Sequence, residues 1–327
     1  MPMQALSRID PMVRLIVAAI VLATVLPVAG EARPIAQGIA NGAVFLLFLF
    51  YGLRLSRRDV WAGLGNHRLL VPLTLWVFGA MTLAGWSAWL AVSPWLPPSL
   101  ALGFLFLGVL PSTVQSAAAY CSLAGGNVAS SVVAAALINI TGVFISAPLF
   151  SLIAGGAEAG VHGEALVKVL TMLLLPFLLG QGLQGLARGW VTGHRPMMTA
   201  MDRISIGIAV YVAFSGAVEQ GVWQQLDART GVIVLAATAF LLVVGYGGSW
   251  LLGSALALSR GDRIAMLFAG AQKSIAMGAP LATVLFPAAV AGTILLPLLV
   301  YHLAQMIVAA PIAARLARPA GADAAVR

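Results

Sequence analysis

Ten apolar stretches, each about as long as the hydrocarbon core of a bilayer is thick, recur along this chain and constrain it more than any motif does. In lipid a backbone must satisfy its own hydrogen bonds, and at about 20 residues per crossing the element that does so is the α-helix. The stretches run over 12–29, 35–55, 69–90, 99–122, 128–153, 166–187, 203–218, 231–252, 263–286 and 289–313. Composition agrees, with 61% of the 327 residues hydrophobic and 9% charged, against roughly 45–50% and 25% in an average soluble domain. The expected fold class is an all-α membrane protein of ten transmembrane helices, with too little sequence outside the spans for a soluble domain. The first stretch follows Arg8 and Arg14 and closes in Pro27-Val-Ala-Gly30 as a cleaved leader would. Its apolar run is longer than the core of a leader, so it is read as a span. Cys121 is the only cysteine, which excludes an intrachain disulfide and a cysteine-rich metal site.

Basic residues test this map, because Lys and Arg gather on the cytoplasmic side of membrane proteins. With the N-terminus inside, 13 of the 18 fall in cytoplasmic segments. Arg33, Lys168 and Arg229 lie on the opposite side, and Arg14 and Lys273 lie within spans. Both termini are therefore expected in the cytoplasm and the chain in the inner membrane. On this map no acidic residue falls within a span; Asp202 belongs to an inner loop and Glu219 to an outer one. The net charge of +8 then reads as topology and contact with anionic membrane lipids, and nucleic acid is not an expected partner.

The spans divide five plus five, as 1–154 and 166–327, the latter with a cytoplasmic tail, across a connecting loop at 155–165. An odd number of spans per half inverts the second half, which suits an inverted-topology repeat with its site on broken helices near the midplane. The fourth span of each half carries an interruption. In the first half it is Leu110-Pro-Ser-Thr-Val-Gln-Ser-Ala117, where Pro111 disfavours helix at Leu110 and Ser112 with Gln115 has capping-box spacing for a restart. In the second it is Ala269-Gly-Ala-Gln-Lys-Ser274, where Gly270 can loosen the first half-helix and Ser274 can cap the second. New N-termini at mid-depth carry partial positive charge and unpaired N–H groups.

Lys273 is the costliest residue in the chain. It sits roughly 14 Å into the run 264–286, near the middle of a core about 30 Å thick, and charges placed there mark substrate or ion routes. With the half-helix N-termini it points to a small or amphipathic organic anion as substrate. Asn139 and Thr141 of the fifth span either line the same cavity or bond between helices, and Gln181, Gln184, Tyr301, His302 and Gln305 have the same two readings. His302 can relay protons or be held within the bundle. No His-Glu-x-x-His, Gly-x-Ser-x-Gly or paired intramembrane aspartates occur, so an enzyme would rest on Ser112, Ser116 or Ser274 with Lys273 as base.

Three segments carry a family resemblance. They are Pro111-Ser-Thr-Val-Gln-Ser116, Ala124-Gly-Gly-Asn-Val-Ala-Ser-Ser131 and Phe268-Ala-Gly-Ala-Gln-Lys-Ser-Ile-Ala-Met-Gly-Ala-Pro280. On these residues the chain resembles the bile acid:sodium symporter family, closest to the branch of vertebrate member 7 and its bacterial relatives. The resemblance implies a panel of spans 1, 2, 6 and 7, and a core of spans 3–5 and 8–10 in which the fourth and ninth helices unwind and cross beside the substrate. It implies a secondary active transporter, and with the breaks and the intramembrane polar residues read above the expected substrate or ion contacts are Ser112, Thr113, Gln115, Ser116, Ser131, Asn139, Gln272, Lys273 and Ser274. A membrane regulator that kept the fold without transport is the alternative. Sodium-coupled members carry a glutamate and an asparagine where this chain has Phe268 and Lys273, and an asparagine and a threonine in place of Ala117 and Ala135. Ser116, Ser131 and Gln272 remain as vestigial sodium ligands, no other cofactor is implied, and the coupling ion stays open between sodium and proton. Lys273 would act either as a fixed surrogate for the cation or as a carrier that releases and regains a proton.

Overall fold

The computed structural model describes residues 11–54, 65–155 and 167–317. Among them the secondary structure is helical, without strands. In chain order the helices are α1 (Pro11–Val25), α2 (Ala32–Arg54), α3 (His67–Val92), α4 (Pro98–Val109), α5 (Gln115–Leu123), α6 (Val128–Ile153), α7 (Leu175–Gly193), α8 (Arg195–Glu219), α9 (Ala228–Ala255), α10 (Arg260–Ala271), α11 (Ile275–Leu285) and α12 (Ala288–Ala317). Three of the crossings contain a π-helical turn, at Trp76–Ala80 in α3, at Leu170–Leu174 leading into α7, and at Val244–Gly248 in α9.

Eight helical segments of the described residues are long and apolar enough to cross a membrane, with α1 and α4 as shorter apolar helices. The chain is a multi-pass membrane protein. The 99–122 stretch is two short helices, α4 and α5, and the 263–286 stretch is α10 and α11. Of the connecting loop only Gly155 is described; its φ of 73° closes α6 in the left-handed conformation a glycine adopts cheaply.

One boundary shift matters. The stretch expected at 203–218 is a helix that begins at Arg195, with Pro196 in its first turn. Asp202 therefore lies inside a helix and is buried, and Glu219 is the last helical residue, against the expectation that acidic residues stay in loops. Hydropathy discounts a charged first turn, whereas the folded chain neutralises Asp202 with Arg54 of α2.

Glycines let helices approach to backbone contact. A Cβ at Gly52 of α2 would run into the carbonyl of Phe177, and one at Gly180 of α7 into that of Leu49. Gly85 of α3 and Gly108 of α4 meet in the same way. The segment α10–α11 is almost wholly buried in protein. That burial decides where the helices can break, since non-helical backbone at membrane depth is tolerated only inside protein or beside a polar cavity.

Candidate functional site

Each interruption has a readable local cause. Helix α4 stops at Val109, and Leu110 before the proline is extended at φ −75°, ψ 147°. The restart differs from the capping-box expectation, because the residue preceding α5 is Val114 and no side chain caps it. Ser112 is buried with its carbonyl taken by Asn139 Nδ2 at 2.6 Å, so it braces the break instead of starting the helix. In the second interruption Gln272 is extended at φ −82°, ψ 143°, and Ser274 caps α11 as expected, its Oγ accepting the Met277 N–H at 3.2 Å. Gly270 lies within α10 and does not loosen it; its missing side chain admits Ser249 and Trp76.

The two breaks are bonded to each other through three consecutive residues. Gln272 Oε1 accepts from Thr113 Oγ1 at 2.6 Å and Ser116 Oγ at 2.5 Å. Lys273 Nζ donates to the carbonyls of Leu110 (2.7 Å), Gly108 (2.8 Å) and Val77 (3.4 Å). Ser274 N–H donates to the carbonyl of Pro111 at 2.9 Å. Outer helices brace the pair. From α6, Asn139 holds Ser112 and Ser146 Oγ holds the Val109 carbonyl at 2.8 Å. From α12, Tyr301 Oη holds the Ala271 carbonyl at 2.6 Å, and Gln305 holds both the N–H and the carbonyl of Lys273 at 2.8 and 3.2 Å.

A cavity of about 360 Å³ lies beside this junction. One side is formed by Met12 of α1, Tyr51 and Arg54 of α2, Phe177 of α7, and Thr199, Asp202, Arg203 and Ile206 of α8. The other is formed by Thr113–Ser116, by Ala136, Asn139, Ile140 and Val143 of α6, by Ser274–Met277, and by His302 and Met306 of α12. Five of the expected site residues thus reach the cavity: Thr113, Gln115, Ser116, Asn139 and Ser274. Gln272 stands behind them, bonded to two.

Lys273 does not line the cavity. Its side chain is fully buried and turned away, and its ammonium bonds to backbone carbonyls, not to the neighbouring side-chain oxygens of Gln272 and Ser116. The last carbonyls of a helix are unpaired and carry negative partial charge, so the end of α4 outcompetes those side chains. No serine–lysine pair is assembled there. Ser131 is buried on α6 against Cys121, apart from the cavity walls. Phe268 stacks on Tyr120 with ring centroids 5.9 Å apart and meets Tyr246 edge-on at 6.3 Å, filling with aromatic rings the place of the sodium-ligating glutamate. Among the described residues no group of three or more His, Cys, Asp or Glu side chains gathers to hold a metal.

Sequence reasoning missed the charged end of the cavity. Arg54 Nη2 grips both carboxylate oxygens of Asp202 at 2.5 and 2.6 Å, with the guanidinium 5.3 Å from the Tyr51 ring and Arg203 beside it. The only available signal was Asp202-Arg203 at the edge of an apolar stretch, which reads equally well as a loop.

Residues 10–318 match the SBF-like CPA transporter family. The chain belongs to that family. It is 36% identical to the uncharacterized protein PA2026 of Pseudomonas aeruginosa over 93% of this chain and 91% of that one. It is 33% identical to the Escherichia coli protein YfeH, which carries a symporter's name, over 97% and 95%. A more distant relative is sodium/bile acid cotransporter 7 of Rattus norvegicus, 22% identical over 81% and 79%. The protein is thus a membrane transporter of the bile acid:sodium symporter type, with a small-molecule substrate.

Proposed function

We propose that this chain is a ten-span, five-plus-five inverted-repeat carrier of the inner membrane that moves a small amphipathic organic anion without sodium, with the Lys273 ammonium in place of the coupling cation. The observation that carries the reading is the trio of Lys273 bonds to the carbonyls of Leu110, Gly108 and Val77. An ammonium has three N–H donors, and here each has an oxygen acceptor, as a coordinated cation would. This favours a fixed surrogate over a lysine that cycles its proton.

Pairs of matching elements support the repeat. The fourth spans of both halves are broken, the fifth spans α6 and α12 each brace the break of their own half, and the third spans α3 and α9 each carry a π-turn that contributes to the junction. Val77 in the first π-turn accepts from Lys273, and Tyr246 in the second donates to the Gln305 carbonyl at 3.1 Å. The cavity then lies between a panel of α1, α2, α7 and α8 and the core. Arg54 and Arg203 against Asp202 leave it an excess of positive charge, which selects for an anion, while Ile140, Phe177 and Ile206 offer apolar wall. A cavity walled by the breaks favours a carrier over a scaffold.

Decanesulfonate and decanol test the reading on purified protein. The sulfonate should raise the unfolding temperature, the alcohol should do so less, and replacing sodium by choline should leave the difference intact. The Phe268→Glu, Lys273→Asn double variant should acquire sodium-dependent stabilisation. Sulfonate binding that needs sodium and is indifferent to Lys273→Ala would overturn the proposal.

A further inference from the structure

His302 borders the cavity on one side and touches the second helix break on the other, through Gln305. The amide of Gln305 has no freedom in how it points. Its Oε1 accepts the Lys273 N–H at 2.8 Å, which leaves Nε2 to donate to the Lys273 carbonyl at 3.2 Å and to His302 Nδ1 at 2.9 Å. Nδ1 must then be the acceptor, so the ring is neutral with its proton on Nε2.

A second proton changes this. It would arrive from cavity water and form one N–H bond at Nδ1, with no other covalent change, and would set that N–H against the NH₂ of Gln305. Turning the amide over relieves the clash, but it presents NH₂ to the Lys273 N–H and the amide oxygen to the Lys273 carbonyl, so both bonds to the break are lost. A protonated His302 and a clamped Lys273 backbone therefore exclude each other. Because Gln272 and Ser274 on either side are the residues bonded to Thr113, Ser116 and Pro111, the loss acts on the contact between the two breaks.

We infer that His302 is a proton-binding site read by the second break through Gln305, and that the proton is the ion cotransported with the anion. The inference rests on the carrier reading above. The charged and titratable groups on the elements around His302 are Arg195, Asp202, Arg203, Tyr211 and Glu219 of α8, Tyr120 and Cys121 of α5, Arg229 and Tyr246 of α9, Tyr301 and Arg315 of α12 itself and Lys273 at the break, of which Asp202 and Arg203 share the cavity with it, whereas α4 and α11 carry none. An imidazolium adds positive charge to a wall that faces the anion. Proton and anion then favour each other's binding, and by linkage each does so by the same factor.

Two measurements decide it. In a protein with His67, His162 and His194 replaced by Gln, nitrogen NMR of the remaining ring should show the Nε2–H tautomer at alkaline pH and protonation within about pH 5–8, with the Lys273 amide resonance moving in step. Gln305→Met should release the tautomer and uncouple that amide. An Nδ1–H tautomer, or a ring that titrates while Lys273 stays unmoved, overturns the inference. In the second measurement decanesulfonate, ionised throughout that range, should bind wild type about tenfold more tightly at the acid end. His302→Gln, which keeps an acceptor for Gln305, should abolish that dependence, and a pH dependence that survives it overturns the inference. If the ring behaves as stated but no sulfonate binds at any pH, the proton site stands and the anion reading falls.

Discussion

Lys273 shows how one residue can be paid for by the rest of a fold. A lone ammonium at mid-membrane costs several kcal/mol, yet here it meets the end of α4, where carbonyls lack intrahelical partners and the helix dipole is negative. The lysine is in effect a C-terminal cap delivered from another helix. Removing it leaves the Leu110 carbonyl unpaired and that of Gly108 with only the long 3.5 Å bond from Thr82 Oγ1, at about 1–3 kcal/mol each. Lys273→Met should consequently lose about 3 kcal/mol or more, read as a fall in the unfolding temperature of the purified protein in either sodium or choline. Unchanged stability would mean the ammonium is not the clamp. The mid-span position was legible in the sequence; the partners were not, since a charge in an apolar run does not reveal which backbone oxygens elsewhere are unsatisfied.

Among the elements, the short half-helices are held by caps and close approaches more than by their own length. Helix α11 has 11 residues, too short to be stable alone in water, and its one side-chain cap is Ser274. Ser274→Ala should cost about 1 kcal/mol and lower the affinity for decanesulfonate, because it removes the hydroxyl that caps the start of α11 at the cavity wall while leaving the backbone bond to Pro111 in place. The panel is more sensitive to bulk. Gly52 and Gly180 bring α2 and α7 to backbone contact, so Gly180→Leu should destabilise by about 1–3 kcal/mol or force the helices apart, whereas the same change at Gly182, which has open space, should not. Thermal unfolding of the two variants side by side checks this. The break at Pro111 and the cap at Ser274 were local and therefore readable. The Ser112 cap failed because Asn139, 27 positions away, claims the Ser112 carbonyl and the chain stays non-helical to Val114.

Across the whole molecule the cavity carries its charged residues at one end of the panel helices, and ion-pair and backbone contacts tie the other end of the same helices. Its charged rim, Arg54, Asp202 and Arg203, belongs to helix ends that the basic asymmetry assigns to the cytoplasm. At the opposite ends of the same helices Arg33 and Glu219 form an ion pair at 2.8 Å, Gly216 of α8 lies against the Ala288 carbonyl, and Gly292 of α12 against that of Ala213. The protein is thus expected to face inward. With Cys121→Ser removing the native thiol, Ala136→Cys should react with a membrane-impermeant maleimide in inside-out vesicles and resist it in intact cells. Labelling from the outside alone would reverse the assigned topology.

By itself the sequence determined the helical membrane class, the places where two helices must break, and the two family segments that lie at those breaks. These follow from hydropathy, proline geometry and capping, all of which act within a few residues. Tertiary structure alone decided that Lys273 turns from the cavity to the end of α4, that Asp202 is drawn into a helix by Arg54 across 148 positions, and that Gln305 joins His302 to the Lys273 backbone. Each of those outcomes is a choice of partner for a buried polar group. That choice depends on which donors and acceptors the packed bundle leaves unsatisfied nearby, and no local pattern records it.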